Sequence, residues 1–421
     1  MRRFAVIGAG WAGLAAAIEA TLRGDAVTLF EMAPHCGGRA RGVKVDGLLL
    51  DNGQHIMIGA YTETLRLLNV IGADAQQLLM RAPLELRDAA GNGLRLRPGP
   101  PIVSLAMAVA RQPSWTWRAK LGLLSAATQW ALAGFRCNAG LDVAALTQRL
   151  PSQIRRELID PLCVAALNTP SHQASASVFL RVLRDALFAG RGSSDLLLPK
   201  ASLSELFPDP ARQWLQSHGA RIEVSSRVQQ LRPSETGWLV DDRPFDRVVL
   251  ATPPLEAARL VQPHAPPWAQ AAITIDFEPI MTIYARSAGT LLPSPMLSLA
   301  CGPGRPAQFV FDRGQLGGPA GLLAFVISGA SAWVDKGAAA ATEASFAQAK
   351  QELGAWLRSP LQLVHVLTDK RATFRCVPRL MRPPMHIARG LVAAGDYVDG
   401  PYPATLEGAV RSGINAVRAL H

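Results

Sequence analysis

Cysteine is scarce in this sequence, and the spacing of its cysteines excludes two common structural devices. The five cysteines are scattered over 421 residues, with no Cys-x-x-Cys pair and no histidine nearby at metal-ligand spacing. We therefore expect neither a disulfide framework nor a metal site. Charged residues are also few, at 18%, whereas hydrophobic residues reach 49%. That balance excludes a disordered chain.

Lysine and long apolar runs are scarce as well. With only six lysines, the net charge of +11 comes almost wholly from arginine. These arginines are dispersed and form no basic block, which argues against a nucleic-acid partner. The longest charge-free run, Gly314 to Val334, contains a proline and five glycines and makes a poor transmembrane helix. The N-terminus lacks the pattern of a secretory signal, so we expect a cytoplasmic protein.

The first thirty residues have the pattern of a βαβ unit. Arg3 to Ile7 and Ala26 to Phe30 are apolar runs typical of buried parallel strands, and Ala12 to Leu22 has helical spacing. Strand-like segments follow at Arg221 to Leu231, Trp238 to Val240 and Arg247 to Ala251, and again at Leu391 to Ala394. The helical pattern of Ala404 to Leu420 ends the chain.

These patterns predict an α/β protein, α+β overall, with a Rossmann-like dinucleotide-binding domain and an inserted substrate domain. The binding domain is predicted from residues 1–70, 201–255 and 386–421. The substrate domain is predicted as a helical part, 71–200, and a sheet part, 256–385. In the sheet part, Ala271 to Arg286 and Leu363 to Phe374 are expected to be strands.

A glycine-rich motif, Gly8-Ala9-Gly10-Trp11-Ala12-Gly13, stands between the first predicted strand and helix. Gly8 permits a tight turn, Gly10 lets the backbone approach a pyrophosphate, and Gly13 lets the helix pack close to the strand. Glu31, at the end of the second strand, is placed to accept hydrogen bonds from an adenosine ribose. A dinucleotide without a 2′-phosphate is predicted; the alternative is a vestigial loop in a fold that has lost its cofactor.

Two further motifs narrow the cofactor to FAD. Cys36-Gly37-Gly38-Arg39 offers close backbone approach and a cation to an extended flavin cofactor, whereas an NAD-dependent dehydrogenase needs nothing of that kind there. Gly395-Asp396 follows the last predicted strand, and its carboxylate is placed to hold a ribityl hydroxyl. The next helix begins near Thr405 and Leu406, where its N-terminus would stabilise negative charge on the flavin. Cys36 is expected to be a packing residue because no partner cysteine is near.

Together these motifs resemble those of the FAD-dependent amine oxidase and carotenoid desaturase superfamily. Four more stretches resemble the hydroxysqualene dehydroxylases of bacterial hopanoid synthesis: Asp51 to His55, Leu167 to Pro170, Leu203 to Pro208 and Phe309 to Gly314. The resemblance implies that hydroxysqualene loses its allylic hydroxyl and gains a hydride from reduced FAD. It implies these cofactor-binding residues: Gly8, Gly10, Trp11, Ala12, Gly13, Glu31, Gly37, Gly38, Arg39, Val228, Gly395, Asp396, Thr405 and Leu406.

Removal of a hydroxide calls for an acid or strong hydrogen-bond donor near the leaving oxygen. His55, Asp312 and Tyr402 are the catalytic candidates, in that order. Each has a plainer alternative: His55 orients the flavin, Asp312 pairs with Arg313, and Tyr402 only lines the pocket. By the same resemblance, Val228 presents its backbone to the adenine.

Other activities stay open at this point. A polyene desaturase would run the same flavin in the oxidising direction, and a lipid escort protein would use no flavin. An amine oxidase is disfavoured because no Trp/Tyr pair near the C-terminal motif would form an aromatic cage. No second glycine-rich unit indicates a nucleotide electron donor, so the donor is not identified.

A triterpene substrate and a membrane surface are the expected partners, with the protein peripheral on the inner face of the cell membrane. Residues 98–135 combine Trp115, Trp117 and Trp130 with basic residues. This segment predicts either a helical substrate domain with a core of aromatics or an interfacial patch at lipid headgroups.

Overall fold

A computed structural model describes all 421 residues of the chain. Its strands are β1 (Arg3–Ile7), β2 (Ala26–Phe30), β3 (Gly42–Val45), β4 (Leu48–Asp51), β5 (Met57–Ile58), β6 (Leu79–Ala82), β7 (Glu85–Arg87), β8 (Gly93–Arg95), β9 (Leu196–Pro199), β10 (Arg221–Glu223), β11 (Leu231–Pro233), β12 (Trp238–Val240), β13 (Arg243–Phe245), β14 (Arg247–Leu250), β15 (Phe277–Arg286), β16 (Met296–Ser298), β17 (Phe309–Asp312), β18 (Leu322–Ile327), β19 (Gln362–Phe374), β20 (His386–Ala388) and β21 (Leu391–Ala393).

The helices lie between these strands in a mixed order. They are α1 (Trp11–Leu22), α2 (Thr62–Val70), α3 (Ala75–Leu78), α4 (Pro101–Arg111), α5 (Trp117–Leu132), α6 (Val143–Leu146), α7 (Ser152–Ile154), α8 (Asp160–Leu167), α9 (Ala176–Phe188), α10 (Leu203–Leu206), α11 (Pro208–Ser217), α12 (Pro254–Val261), α13 (Pro266–Ile273), α14 (Ser331–Lys336), α15 (Ala338–Leu353) and α16 (Leu406–Leu420). A π-helical turn, Arg155–Ile159, leads into α8, and a 3-10 turn, Arg313–Leu316, follows β17.

The main sheet has six strands in the order β10-β2-β1-β14-β21-β20. All neighbours are parallel except β20 and β21. Its strands come from three distant parts of the chain, which brings together the predicted segments of the dinucleotide-binding domain. The boundaries of these segments stay a prediction.

Helices α1 and α16 pack against each other beside this sheet. Gly413 makes the contact close, because a Cβ there would lie 2.1 Å from the Ala12 carbonyl oxygen. The buried apolar residues of β1 are covered in this way, as a parallel sheet requires. The first and last helices of the chain are thereby joined in one core.

The second large sheet is antiparallel, with the order β16-β17-β18-β15-β19. The predicted strand from Ala271 to Arg286 is wrong in its first part, because Ala271 to Ile273 end helix α13 and β15 begins at Phe277. Two prolines begin α13, and Trp268 and Ala272, four residues apart, bury the same helical face. A helix this short carries too few apolar residues for its period to be distinguished from that of a strand.

The predicted strand from Arg221 to Leu231 is also shorter than expected. Strand β10 ends at Glu223, and Leu231 begins β11 in a separate three-stranded sheet. Ser225, between them, has a left-handed backbone with φ of 53°. That conformation breaks the extended path and directs the chain to the next sheet.

The helical region 98–135 places its three tryptophans in different surroundings, and its role at a lipid interface stays a prediction. Trp115 is buried and donates a hydrogen bond from Nε1 to Glu157 at 2.6 Å, so it belongs to the core. Trp117, two residues later, is 71% exposed. Trp130 is half-buried. Among the helices of this structure, none combines the length and the apolar character needed to cross a bilayer.

Candidate functional site

The glycine-rich turn between β1 and α1 is packed so tightly that two of its positions accept no side chain. Gly8 has φ of +101°, and a Cβ there would lie 2.5 Å from the Ala251 carbonyl oxygen. A Cβ on Gly13 would lie 1.8 Å from the carbonyl oxygen of Gly8. Around Gly10 the nearest such atom is 4.0 Å away, which leaves open space at the uncapped helix N-terminus. This space and the free N–H groups suit a pyrophosphate.

Glu31 lies at the carboxyl end of β2 and contacts this turn directly. Its Oε2 accepts a hydrogen bond from the Ala9 amide at 2.7 Å, and its Oε1 accepts one from the Ala33 amide at 2.8 Å. The carboxylate is thus fixed beside the glycine-rich turn, at the position expected for a ribose contact.

The second glycine motif lies against the first. The Gly37 amide donates to the Ala9 carbonyl at 2.8 Å, and a Cβ on Gly38 would lie 3.1 Å from the Cα of Gly10. Trp11 fixes the following residues by donating from Nε1 to the Ala40 carbonyl at 2.9 Å. Burial raises the pKa of Cys36 to about 11, which agrees with its predicted role as a packing residue.

Arg39 connects the second glycine motif to the C-terminal motif. Its Nη2 lies 2.7 Å from both carboxylate oxygens of Asp396. Its Nη1 donates to the carbonyls of Arg371 and Ala372, both at 2.8 Å. The predicted cofactor-binding residues near the two ends of the chain therefore lie next to each other in the folded protein.

Two buried hydroxyl groups near these motifs have no hydrogen-bond partner in the chain. They belong to Thr252, which follows the Ala251 that Gly8 contacts, and Tyr397, which follows Asp396. A buried polar group without a partner costs free energy unless a ligand or water satisfies it. The unsatisfied hydroxyls and the open space at Gly10, beside the free N–H groups of α1, fit a polar, anionic dinucleotide such as FAD.

The N-terminus of α16 completes this region. Thr405 caps the helix by accepting the Gly408 amide at 3.0 Å, and Leu406 is the first helical residue. The Gly395 amide donates to the Ser412 hydroxyl on the same helix at 3.0 Å. This contact joins the segment that carries Asp396 to the second turn of α16.

The backbone of Val228 is the predicted contact for adenine. Its side chain is buried, and its carbonyl oxygen accepts a hydrogen bond from Nη2 of Arg259 at 2.7 Å. The carbonyl thus has a partner in the chain, so a contact between the Val228 backbone and adenine stays a prediction.

His55 has a defined proton position. Its Nδ1 lies 2.9 Å from the Gly53 carbonyl oxygen, which can only accept, so Nδ1 carries the proton. Burial lowers the pKa of the imidazole, so the neutral form predominates near pH 7. Its Nε2 is then an acceptor, which suits His55 to orient a hydroxyl group and makes it a poor acid.

Asp312 caps the 3-10 turn after β17. Its carboxylate accepts hydrogen bonds from the Leu292 amide at 3.0 Å, the Gly314 amide at 3.1 Å and Nε2 of Gln315 at 2.9 Å. The side chain is buried, and these donors occupy its oxygens. The contacts favour a structural role over the catalytic one expected from the sequence, and they also replace the expected pairing with Arg313.

Tyr402 lies between two arginines. Arg181 donates from Nη2 to the phenol oxygen at 3.0 Å, and the Cζ atoms of Arg181 and Arg411 lie 4.9 Å and 5.6 Å from the ring centre. Burial raises the pKa of the phenol. Tyr402 therefore keeps its proton, and Arg181 occupies one lone pair of its oxygen.

A buried polar network that the sequence did not indicate holds the stretch from Asp51 to His55. Tyr284 donates to the Asp51 carbonyl at 2.8 Å and accepts from Nε2 of Gln54 at 2.7 Å. Arg313 donates to Oε1 of Gln54 at 3.2 Å and lies 3.7 Å from the Asp51 carboxylate. Burial raises the pKa of Asp51 to about 6. Tyr284, a fully buried tyrosine in strand β15, is the one signal that could have revealed this network.

A family model described as flavin-containing amine oxidoreductase matches residues 11–421. The chain belongs to this family. Membership confirms the predicted oxidoreductase and its flavin cofactor, and the glycine-rich turn at Gly8 to Gly13 agrees with FAD as the form of that flavin.

Curated relatives within the family match nearly the whole chain. Hydroxysqualene dehydroxylase of Rhodopseudomonas palustris is 30% identical over 98% of this chain and 96% of its own length. The protein of the same name from Zymomonas mobilis is 27% identical over 98% of this chain and 97% of its own length. These matches confirm the resemblance drawn from the motifs.

Solved structures confirm the fold class. An oxidoreductase from Methanosarcina mazei superposes with a TM-score of 0.74 at 16% identity, covering 99% of this chain and 100% of its own. At this identity the likeness bears on the fold alone.

Proposed function

We propose that this flavin-dependent oxidoreductase converts hydroxysqualene to squalene and water. The observation that carries the proposal is the similarity to hydroxysqualene dehydroxylases along 98% of the chain. In this reaction the allylic C–O bond breaks, a hydride joins the carbon, and a proton joins the departing hydroxide. Reduced FAD supplies the hydride when it is bound, and an electron donor of the cell must restore it.

Tyr402 is the proposed proton donor to the leaving oxygen. The Arg181 guanidinium holds the phenol oxygen from one side, and the raised pKa keeps the phenol protonated near pH 7. A positioned acid contributes about 10²–10⁴-fold to such a step. The unprotonated Nε2 of His55 would accept a hydrogen bond from the substrate hydroxyl and so orient that hydroxyl group.

The surroundings of Tyr402 also argue against an amine substrate. The Cζ atoms of Arg181 and Arg411 lie 4.9 Å and 5.6 Å from its ring centre, within the distance at which an ammonium group would contact the ring. Like charges would repel a cationic amine there. An uncharged triterpenol has no such penalty.

A membrane surface is the proposed location of the reaction, on the inner face of the cell membrane. Ile102, Val103, Trp117, Leu121 and Leu132 are large apolar residues of α4 and α5 with exposed side chains. Exposed tryptophan and aliphatic side chains next to basic residues are typical of proteins that bind at the lipid interface. A triterpene substrate dissolves in the bilayer, so this location supplies it.

The direction of electron flow tests the proposal. Purified protein is loaded with FAD, reduced with dithionite and mixed with hydroxysqualene without oxygen; squalene should form as the oxidised flavin spectrum returns. A desaturase would leave hydroxysqualene unchanged and would instead bleach oxidised flavin with a more saturated polyene. A purified protein that retains no flavin would favour the lipid escort function.

Variants then assign the proton donor. Tyr402→Phe should slow squalene formation by about 10²-fold or more while flavin content stays at the wild-type level. His55→Gln, which keeps an acceptor, should have a smaller effect. Equal rates for Tyr402→Phe and the wild type would remove Tyr402 from the mechanism.

A further inference from the structure

A cavity of about 190 Å³ lies between the β7–β8 hairpin and helix α4, away from the residues assigned to the flavin. Its lining includes four arginines: Arg87, Arg95, Arg97 and Arg111. Four guanidinium groups around one small cavity repel one another unless anions lie among them. The cavity therefore has the charge of an anion site.

The carboxylates of the hairpin satisfy only part of this charge. Glu85 lies 3.5 Å from Arg87 and 3.4 Å from Arg95. Asp88, the other hairpin carboxylate, accepts hydrogen bonds from the amide and side chain of Asn92 at 2.8 Å and 3.0 Å. Arg97 and Arg111 form no ion pair in the structure, so their two charges remain available.

Ser104 gives a second and independent indication of a ligand. It lines the cavity, it is only 2% exposed, and its hydroxyl has no hydrogen-bond partner in the chain. Gly99 keeps the adjoining space open, because a Cβ there would lie 3.3 Å from the Ser104 Oγ. A buried hydroxyl among arginines is the partner set that a phosphate oxygen takes.

The surface around the cavity indicates which phosphate it receives. Ile102 and Val103 immediately precede Ser104 on α4, and both have exposed apolar side chains. Trp117 and Leu121 of the neighbouring helix α5 are exposed too. Apolar groups that enter a bilayer would therefore lie beside an anion site at the depth of the headgroups.

We propose that this cavity binds the phosphate of an anionic phospholipid and fixes the protein on the membrane. The site deepens the proposed function, because it rests on the membrane location proposed above. Arg97 and Arg111 supply the free charge, and the Ser104 hydroxyl donates the short-range hydrogen bond to a phosphate oxygen. The exposed residues of α4 and α5 enter the lipid beside it.

The test is co-sedimentation of the full-length FAD-loaded protein with vesicles. Phosphatidylcholine vesicles are compared with vesicles that also contain phosphatidylglycerol, and the wild type should prefer the latter. Arg97→Gln/Arg111→Gln should weaken that binding about 30-fold, since each arginine near an anionic bilayer contributes roughly fivefold. Ser104→Ala, with all charges kept, should weaken it by a smaller factor.

A matched control removes the same charge elsewhere. Arg286 and Arg389 are exposed, form no ion pair and lie outside the cavity lining, so Arg286→Gln/Arg389→Gln should bind nearly as the wild type does. An equal loss in this control would mean that net charge alone attracts the protein, and the cavity would lose its role. Wild-type binding by the Arg97/Arg111 variant would also overturn the proposal.

Inorganic phosphate and glycerol 3-phosphate separate a lipid headgroup from a soluble phosphate. Suppose that inorganic phosphate or glycerol 3-phosphate raises the melting temperature of the wild type but not that of the Arg97/Arg111 variant, and that the wild type and the variant bind vesicles equally. The cavity then binds a soluble ligand, and the lipid assignment is wrong. Activity on hydroxysqualene in neutral detergent micelles keeps the two proposals distinct. In micelles the Arg97/Arg111 variant should form squalene at the wild-type rate. A wild type that is inactive but still binds vesicles would refute only the proposed reaction.

Discussion

Arg39 and Asp396 stand 357 positions apart in the sequence, and Nη2 of the arginine lies 2.7 Å from both oxygens of the carboxylate. The same guanidinium holds the carbonyls of Arg371 and Ala372. The Arg39 side chain thus joins the second glycine motif, the end of β19 and the C-terminal motif. We propose that the flavin site depends on this junction.

Arg39→Ala should therefore lower the free energy of unfolding by about 1–2 kcal/mol, after allowance for the partial exposure of the arginine. It should also lower the flavin content of the purified protein. Arg39→Lys keeps the charge but cannot contact all three partners, so its effect should lie between those of Ala and the wild type. Urea unfolding and flavin absorbance measure the two effects; an unchanged Arg39→Ala protein would contradict this role of the ion pair.

Replacing Glu31 tests the expected ribose contact. Glu31→Ala should weaken FAD binding about 10- to 100-fold, because hydrogen bonds to a charged group contribute roughly 1.5–3 kcal/mol. The variant also releases the Ala9 amide from its acceptor. Glu235→Ala, at an exposed glutamate without an ion pair, is the control and should retain flavin. Equal occupancy in the two variants would rule out the ribose contact.

The tight packing at Gly13 predicts that a side chain at this position prevents folding. In Gly13→Ala the new Cβ would lie 1.8 Å from the Gly8 carbonyl oxygen, so β1 and α1 must separate. We expect poor folding and no bound flavin. Gly122→Ala in helix α5 is the control: its nearest contact is Pro151 Cδ at an ordinary 3.5 Å, and it should stabilise the protein by about 0.5–1 kcal/mol. Thermal unfolding distinguishes these outcomes, and a stable, yellow Gly13→Ala protein would refute the packing argument.

Asp51 predicts a pH dependence of stability. Burial raises its pKa from 3.8 to about 6, so between about pH 4 and pH 6 the folded protein holds a proton that the unfolded chain releases. Its contribution to the free energy of unfolding must then fall as the pH rises through this range, by about 2–3 kcal/mol in all.

Asp51→Asn keeps the acceptor for the Leu203 amide but cannot ionise, so it should remove this fall. The measurement is the difference in unfolding free energy between the wild type and the variant at pH 4 and at pH 7. Asp335→Asn, at an exposed carboxylate of α14, is the control and should leave the pH profile unchanged. Parallel profiles for Asp51→Asn and the wild type would show that Asp51 does not titrate in this range.

The sequence by itself determined the features that depend on neighbouring residues. The βαβ opening and the turns at Gly8 and Gly13 follow from local backbone geometry, in which glycine readily adopts a φ of +101° and permits such close approach. The same kind of reasoning placed Glu31 at the end of β2 and Thr405 at the start of α16. These are contacts within or next to a single element.

Only the tertiary structure decided which polar groups face each other. Residue type gave His55, Asp312 and Tyr402 as candidates in that order, but their partners differ: three donors fill the Asp312 carboxylate, a carbonyl fixes the proton of the His55 imidazole, and an arginine holds the Tyr402 phenol. Trp115 and Trp117 likewise share a segment, and packing alone buried the first and exposed the second. A side chain's protonation and accessibility depend on groups brought close by folding, often hundreds of residues away, and no local pattern encodes those neighbours.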